Sequence, residues 1–127
     1  MNQNAINKIT LQLQNYFDGL YFCDVELLQT VFHPEAMYVC ATEEKLIKLN
    51  MTEYFPVVAE RTSPASKNEA RMDKIISISV LSETTAVAHV ECAIQPKYFS
   101  DLLSFIYIDG TWKIISKVFH YQLMKTN

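Results

Sequence analysis

The sequence predicts an α+β domain of 127 residues in which three helices pack on a curved, mainly antiparallel sheet, and three observations carry that prediction. Apolar residues in the first sixth of the chain recur at steps of three and four, the spacing of a helix with one buried face. The second half holds four β-type runs separated only by short turn signals. The last two, Asp101 to Ile108 and Trp112 to Phe119, are apolar at both parities, which requires cover on both faces of the sheet. Helices serve one face. A second copy of the chain is expected on the other, so the sequence predicts a homodimer through the sheet.

Ile6, Ile9, Leu13, Tyr16, Phe17 and Leu20 define the first helix, with Gly19 near its end. Asp24 is placed to cap a second helix carrying Val25, Leu28, Val31 and Phe32, which His33-Pro34 terminates. A strand is expected over 36–41, a turn at Glu43-Glu44 and a short return strand over 45–49. The third helix has two possible starts. Asn50 could cap it, with Glu53 completing a capping box, or Thr52 could, which would put Pro56 in the first turn; the second start is preferred. Residues 61–69 are polar and without period, hence a loop and the best candidate for a mobile rim. Strands are expected at 71–81, 84–94, 98–108 and 112–122, with turns at Ser82-Glu83, Gln95-Pro96 and Asp109-Gly110. The whole chain, 1–127, reads as one domain.

Half of the residues are hydrophobic and a fifth charged, a composition suited to a packed core. Eleven Lys and Arg against fourteen Asp and Glu give a formal charge of −3, without a basic run, so nucleic acid is not an expected partner. The first twenty residues carry no secretory pattern and no apolar run reaches membrane-spanning length, so a cytoplasmic location and no membrane contact are expected. Cys23, Cys40 and Cys92 are widely spaced among apolar neighbours, as packing thiols are. There is no His-x-x-x-His, no Cys-x-x-Cys and no strand carboxylate cluster, so neither a metal nor a cofactor is expected. With Gly19 and Gly110 the only glycines, neither a nucleophile elbow nor a phosphate-cradling loop can form.

The element order, together with Asp24 opening the second helix, Phe32-His33-Pro34-Glu35-Ala36 closing it and Asp109-Gly110-Thr111-Trp112-Lys113-Ile114 near the end, resembles the nuclear transport factor 2-like (cystatin-like) superfamily. That resemblance implies a cone-shaped sheet around a pocket capped by helices. The stretch from Asp101 to Phe119 is most similar to a small bacterial group labelled putative lumazine-binding, which implies a small ligand. A more distant resemblance is to ketosteroid isomerase. Aligned from the first helix, Tyr16 falls on that enzyme's oxyanion-binding tyrosine; aligned back from Asp109, Asp101 falls on the partner aspartic acid, held protonated to donate a hydrogen bond. The enzyme's general-base aspartate corresponds to Cys40, and a thiol in apolar surroundings is a poor proton acceptor.

These readings make a pocket for a small apolar or aromatic ligand the leading expectation. Tyr16, Cys40, Tyr54, Asp101, Phe105 and Trp112 would line it, with Tyr16 and Asp101 as two donors to one ligand oxygen. An isomerase, dehydratase or cyclase acting on an enolisable apolar substrate is the enzymatic alternative, with His33 or His120 as the base. His120 shares strand parity with Trp112, Ile114 and Val118, which would point it into the pocket; His89 is assigned to the dimer face. A dimeric protein-interaction module, working through the outer sheet, is the third alternative.

Overall fold

The computed structural model describes residues 2–125. Helix α1 (Asn2–Phe22) and helix α2 (Val25–Val31) form a hairpin, followed by β1 (Phe32–Cys40), β2 (Ile47–Asn50), α3 (Met51–Glu60) and the four long strands β3 (Lys74–Val80), β4 (Thr85–Ile94), β5 (Lys97–Ile108) and β6 (Thr111–Leu123). The six strands make one sheet in the order β2-β1-β6-β5-β4-β3. Every neighbouring pair is antiparallel except β1 and β6, which run parallel. Ile9, Leu13, Tyr16 and Leu20 turn one face of α1 onto the concave side of the sheet, where they meet Leu28 and Val31 of α2, Tyr54 and Val58 of α3, and Ala88, Leu103, Phe105 and Ile114 of the strands.

The first helix runs past Gly19 to Phe22, and the left-handed residue that ends it is Cys23, at φ 51°. Gly19 serves a different purpose: a Cβ there would lie 2.5 Å from the Leu28 side chain, so its absence lets α2 pack directly against α1. Asp24 caps α2, accepting the Leu27 N–H at 3.1 Å. That helix stops at Val31, one residue earlier than its apolar period suggests, and Phe32 is already extended. His33 precedes a proline and so disfavours helical backbone. Pro34 falls where the pairing of β1 with β6 shifts register between Phe32 and Met37, so its missing N–H breaks no ladder bond there.

Helix α3 starts at Asn50, not at Thr52. The Asn50 side chain accepts the Glu53 N–H and the Glu53 carboxylate accepts the Asn50 N–H, both at 2.9 Å, and these reciprocal bonds fix the start. Pro56 therefore lies inside the helix. The carbonyl it leaves unpaired belongs to Thr52, on the exposed face of the helix.

The loop after α3 is anchored rather than a free rim. Tyr21 donates its hydroxyl hydrogen to the Glu69 carbonyl at 2.5 Å, and Glu69 accepts the Gln95 N–H at 3.0 Å. Arg71 stacks over the Tyr21 ring at 4.6 Å while pairing with Asp18 and Asp73. Asp109 and Gly110, at φ 52° and 81°, make the tight turn between β5 and β6.

One irregularity decides which side chains enter the cone. Ser104 pairs with Ser116 but Phe105 pairs with Ile114, which makes Ile115 an extra residue in β6. Trp112 and Ile114 face inward before it, and Lys117 and Phe119 face inward after it. Ser116, Val118 and His120 are turned to the outer face. The parity that linked His120 to Trp112 does not survive the bulge.

Candidate functional site

Tyr16 comes from the buried face of α1, where it follows Ile9 and Leu13 at helical spacing; Asp101 comes from the inward parity of β5, in line with Leu103 and Phe105. They meet beneath the helix. The Tyr16 hydroxyl donates to Asp101 Oδ2 at 2.5 Å, and both residues are fully buried. Asp101 Oδ1 accepts no hydrogen bond. A buried carboxylate with one unserved oxygen costs several kcal/mol, about 3–5 where a partner charge has been removed, and a nearby opposite charge offsets that cost.

Lys117 supplies it. Asp101 lies opposite Phe119 and Lys117 opposite Leu103, which makes Asp101 and Lys117 diagonal neighbours on one face, about 7–8 Å apart in such pairs. The ammonium is only 4% exposed, and its nitrogen sits 5.2 Å from the Tyr16 ring, 5.5 Å from Tyr38, 5.6 Å from Tyr54 and 5.1 Å from Phe119. Four electron-rich faces around one cation replace part of its lost hydration. Tyr38 is the direct neighbour of Lys117 across the parallel β1–β6 pair, and it stacks on Tyr54 at 4.6 Å.

The titration of these groups follows from burial and from one another. Burial favours the neutral amine of Lys117, but the Tyr54 phenol, the Asp101 carboxylate and the Tyr38 phenol reverse that, and its proton is held more tightly than in an ordinary lysine. Burial, then the Asp101 charge, raises Tyr16 well above the usual phenol value, so Tyr16 keeps the proton it donates. Burial, reinforced by Asp101, pushes the neighbouring Cys92 thiol up to about 12. Lys117 is thus a persistent cation, unsuited to attack a carbonyl as a free amine.

Space for a ligand lies outside this cage. A cavity of about 360 Å³ opens at the wide end of the cone, walled by Tyr38, Cys40, Phe99, Phe119 and Tyr121, with Arg61 and Lys97 among its polar residues. It shares Tyr38, Arg61 and Phe99 with a smaller recess of about 10 Å³ that reaches Lys117, Tyr54 and Cys92. Tyr38 is therefore common to cavity and cage, whereas Lys117 lines the recess alone.

The expected site residues separate accordingly. Cys40 lines the cavity, its thiol 3.3 Å from Thr42 Oγ1. Tyr54 reaches only the recess. Tyr16 and Asp101 bond to each other and line neither the cavity nor the recess, so the expectation of two donors facing one ligand oxygen is not met by this arrangement. Phe105 is a fully buried core residue. Trp112 lies toward the other end of the sheet, where it lines a separate depression with Asn4, Lys8 and Tyr107, and its carbonyl accepts from Gln12. Neither histidine reaches the cage. His33 Nδ1 accepts the Glu35 N–H at 3.0 Å within its own strand, and His120, on the exposed face, lies 2.9 Å from Thr42 Oγ1. His89 stands opposite Leu102 on the outer face.

Lys117, Tyr38, Phe99, Phe119 and Arg61 were not legible as site residues. The available signal was the clash of parities in β6, where Trp112 and Ile114 cannot share a regular face with Phe119. Among the described residues, no group of three or more His, Cys, Asp or Glu side chains is gathered to hold a metal, and no helix is long and apolar enough to cross a membrane.

A family model described as "Putative lumazine-binding" matches residues 4–120. The chain belongs to that family. Its fold is that of nuclear transport factor 2-like proteins. One similar structure is an NTF2-like protein of unknown function from Shewanella baltica OS155, with TM-score 0.85 at 20% identity over 96% of this chain and 97% of the other. Another, from Methylobacillus flagellatus KT and described in the same words, has TM-score 0.81 at 25% identity over 94% and 93%. A ketosteroid isomerase-like protein from Erwinia carotovora atroseptica superposes with TM-score 0.70 at 9% identity over 91% and 94%. Comparison with curated proteins finds none that matches.

The position of Cys92 in this lumazine-binding family member predicts a specific alkaline response. An unfolded thiol releases its proton near the ordinary value of 9.0, whereas the folded one holds it to about 12. The folded state then binds more protons in that window, so stability contributed by Cys92 is intact below pH 9 and is lost as pH rises toward 12. Urea midpoints between pH 7.5 and pH 10.5, on the order of the window above, should fall with a steeper slope in the wild type than in Cys92→Ala. Parallel slopes would contradict the assignment.

Proposed function

We propose that this domain binds a small, mostly apolar or aromatic molecule carrying an oxygen function, in the cavity at the wide end of the cone. One observation carries the reading: an aromatic-walled space of about 360 Å³ shares Tyr38, Arg61 and Phe99 with the small recess that reaches a caged ammonium. Apolar walls with a few convergent polar groups are what a ligand site requires. The family's description as lumazine-binding agrees with an aromatic-walled cavity. A cytoplasmic location is part of the same reading.

An isomerase, dehydratase or cyclase draws support from the contact between Tyr16 and Asp101, and from a fold neighbour described as ketosteroid isomerase-like. It is the weaker reading. The single Tyr16 proton is engaged by Asp101, and the two histidines that could serve as a base belong to other parts of the fold.

We also infer a homodimer through the outer face of the sheet. Leu102 and Val118, paired across β5 and β6, are 50% and 46% exposed, and Val87 on β4 is 41% exposed, on the face away from the helices. An open apolar strip of this kind on a sheet centre is normally covered. A patch of this chemistry would serve a foreign protein partner equally, so the mass in solution discriminates.

Two measurements follow. Titrating 2-naphthol and reading its fluorescence should give saturable one-to-one binding to the wild type, weakened about tenfold in Phe99→Ala, which removes one wall. Failure of folded wild-type protein to bind would defeat the pocket reading. Sedimentation equilibrium should return twice the chain mass for the wild type and a monomer for Leu102→Glu; a monomeric wild type across the concentration range would exclude the dimer.

A further inference from the structure

Resting on the pocket reading, the geometry points to an organic anion, specifically an aromatic carboxylate, as the class of ligand this cavity takes, with Arg61 holding the carboxylate, Lys117 adding its charge from the adjoining recess and the aromatic walls holding the ring.

The charges about the cavity are opposite in sign to those of the chain. The whole sequence carries a formal charge of −3, yet the cavity and its recess are lined by Arg61, Lys67, Lys97 and Lys117, with Glu43 the one carboxylate. Three of these five are already engaged. Glu43 accepts the Tyr121 hydroxyl hydrogen, Lys67 is paired with Glu69 at 3.0 Å, and Lys97 lies over the Tyr121 ring at 4.3 Å. Lys117 is compensated at a distance by Asp101 and makes no hydrogen bond. Arg61 is different: its guanidinium makes neither a hydrogen bond nor an ion pair with any described residue, although Glu53, Glu60 and Glu69 lie within ten residues of it in sequence.

Arg61 lines both the cavity and the recess, so it stands where the two join. Its charge is felt at Tyr38 and at Cys92, both of which border Lys117. One cation, Arg61, therefore lines a space whose sides are Tyr38, Phe99 and Phe119, and a second, Lys117, lies in the recess that adjoins it. A guanidinium offers a planar fork that matches a carboxylate through paired N–H donors, and an ammonium offers a point charge beside it. A neutral ligand would leave the Arg61 donors unserved on entering. A cationic one would meet repulsion from both groups.

The placement also explains how a carboxylate could be taken from water at acceptable cost. Desolvation of the anion is offset by Arg61, which reaches it from the half-exposed rim, and by a Lys117 cation whose own desolvation has already been met in the folded protein by Asp101 and the aromatic cage. Specificity then resides in charge, and affinity in the ring contacts.

The test compares 2-naphthoate with its neutral counterpart 2-naphthylmethanol, titrated into wild-type protein and into Arg61→Gln, which alters a rim residue outside the core. Naphthoate should bind the wild type about tenfold or more tighter than the alcohol, and added salt should weaken naphthoate alone. In Arg61→Gln the preference should fall to about threefold or less. Equal binding of the two ligands by the wild type, or a preference that survives Arg61→Gln, overturns the anion inference and leaves the pocket reading standing. Saturable binding of neither ligand overturns both.

Discussion

A carboxylate and an ammonium enclosed in the same aromatic cone are the constraint around which the rest of this structure is arranged. Asp101 is fully buried and Lys117 nearly so, and neither could occupy its position without the other, because an uncompensated charge at that depth costs a large part of a small domain's stability. The surroundings are organised to share the load. Tyr16 donates to one carboxylate oxygen, and Tyr16, Tyr38, Tyr54 and Phe119 present ring faces to the ammonium. Helix α1 must therefore lie where Tyr16 reaches β5, and α3 where Tyr54 reaches β1, so the network fixes the helices on the sheet as well as the charges within it.

Much of the architecture was legible because it rests on local chemistry. The spacing from Ile9 to Leu20 gave α1, Asp24 gave the start of α2, and Asp109-Gly110 gave the final hairpin, each through a backbone preference that tertiary contacts did not oppose. Helix α3 shows the limit. Asn50 and Thr52 are both capping residues, and the choice was made by a reciprocal hydrogen bond to Glu53 strong enough to carry Pro56 into the helix interior.

The site was less legible for a single physical reason. A strand's side-chain period of two is reliable only while pairing is regular, and one extra residue at Ile115 reverses it. Counting from Trp112 put His120 inside and Lys117 outside; the bulge exchanges them. Tyr16 and Asp101 were found through resemblance, and they do meet, but neither lines the cavity or the recess that Lys117 borders. Without Lys117 the pair reads as an oxyanion site. With it, the pair reads as the support for a buried cation, and Tyr38, Phe99 and Phe119 line the cavity beside its recess.

The mutual dependence of Asp101 and Lys117 is measured most directly by a double-mutant cycle in urea with Asp101→Leu, Lys117→Met and the double variant. Each single substitution strands a buried charge and should cost about 3–5 kcal/mol, whereas the double variant should cost less than the sum by about 2 kcal/mol or more. Additive losses, or a Lys117→Met variant as stable as the wild type, would contradict the account.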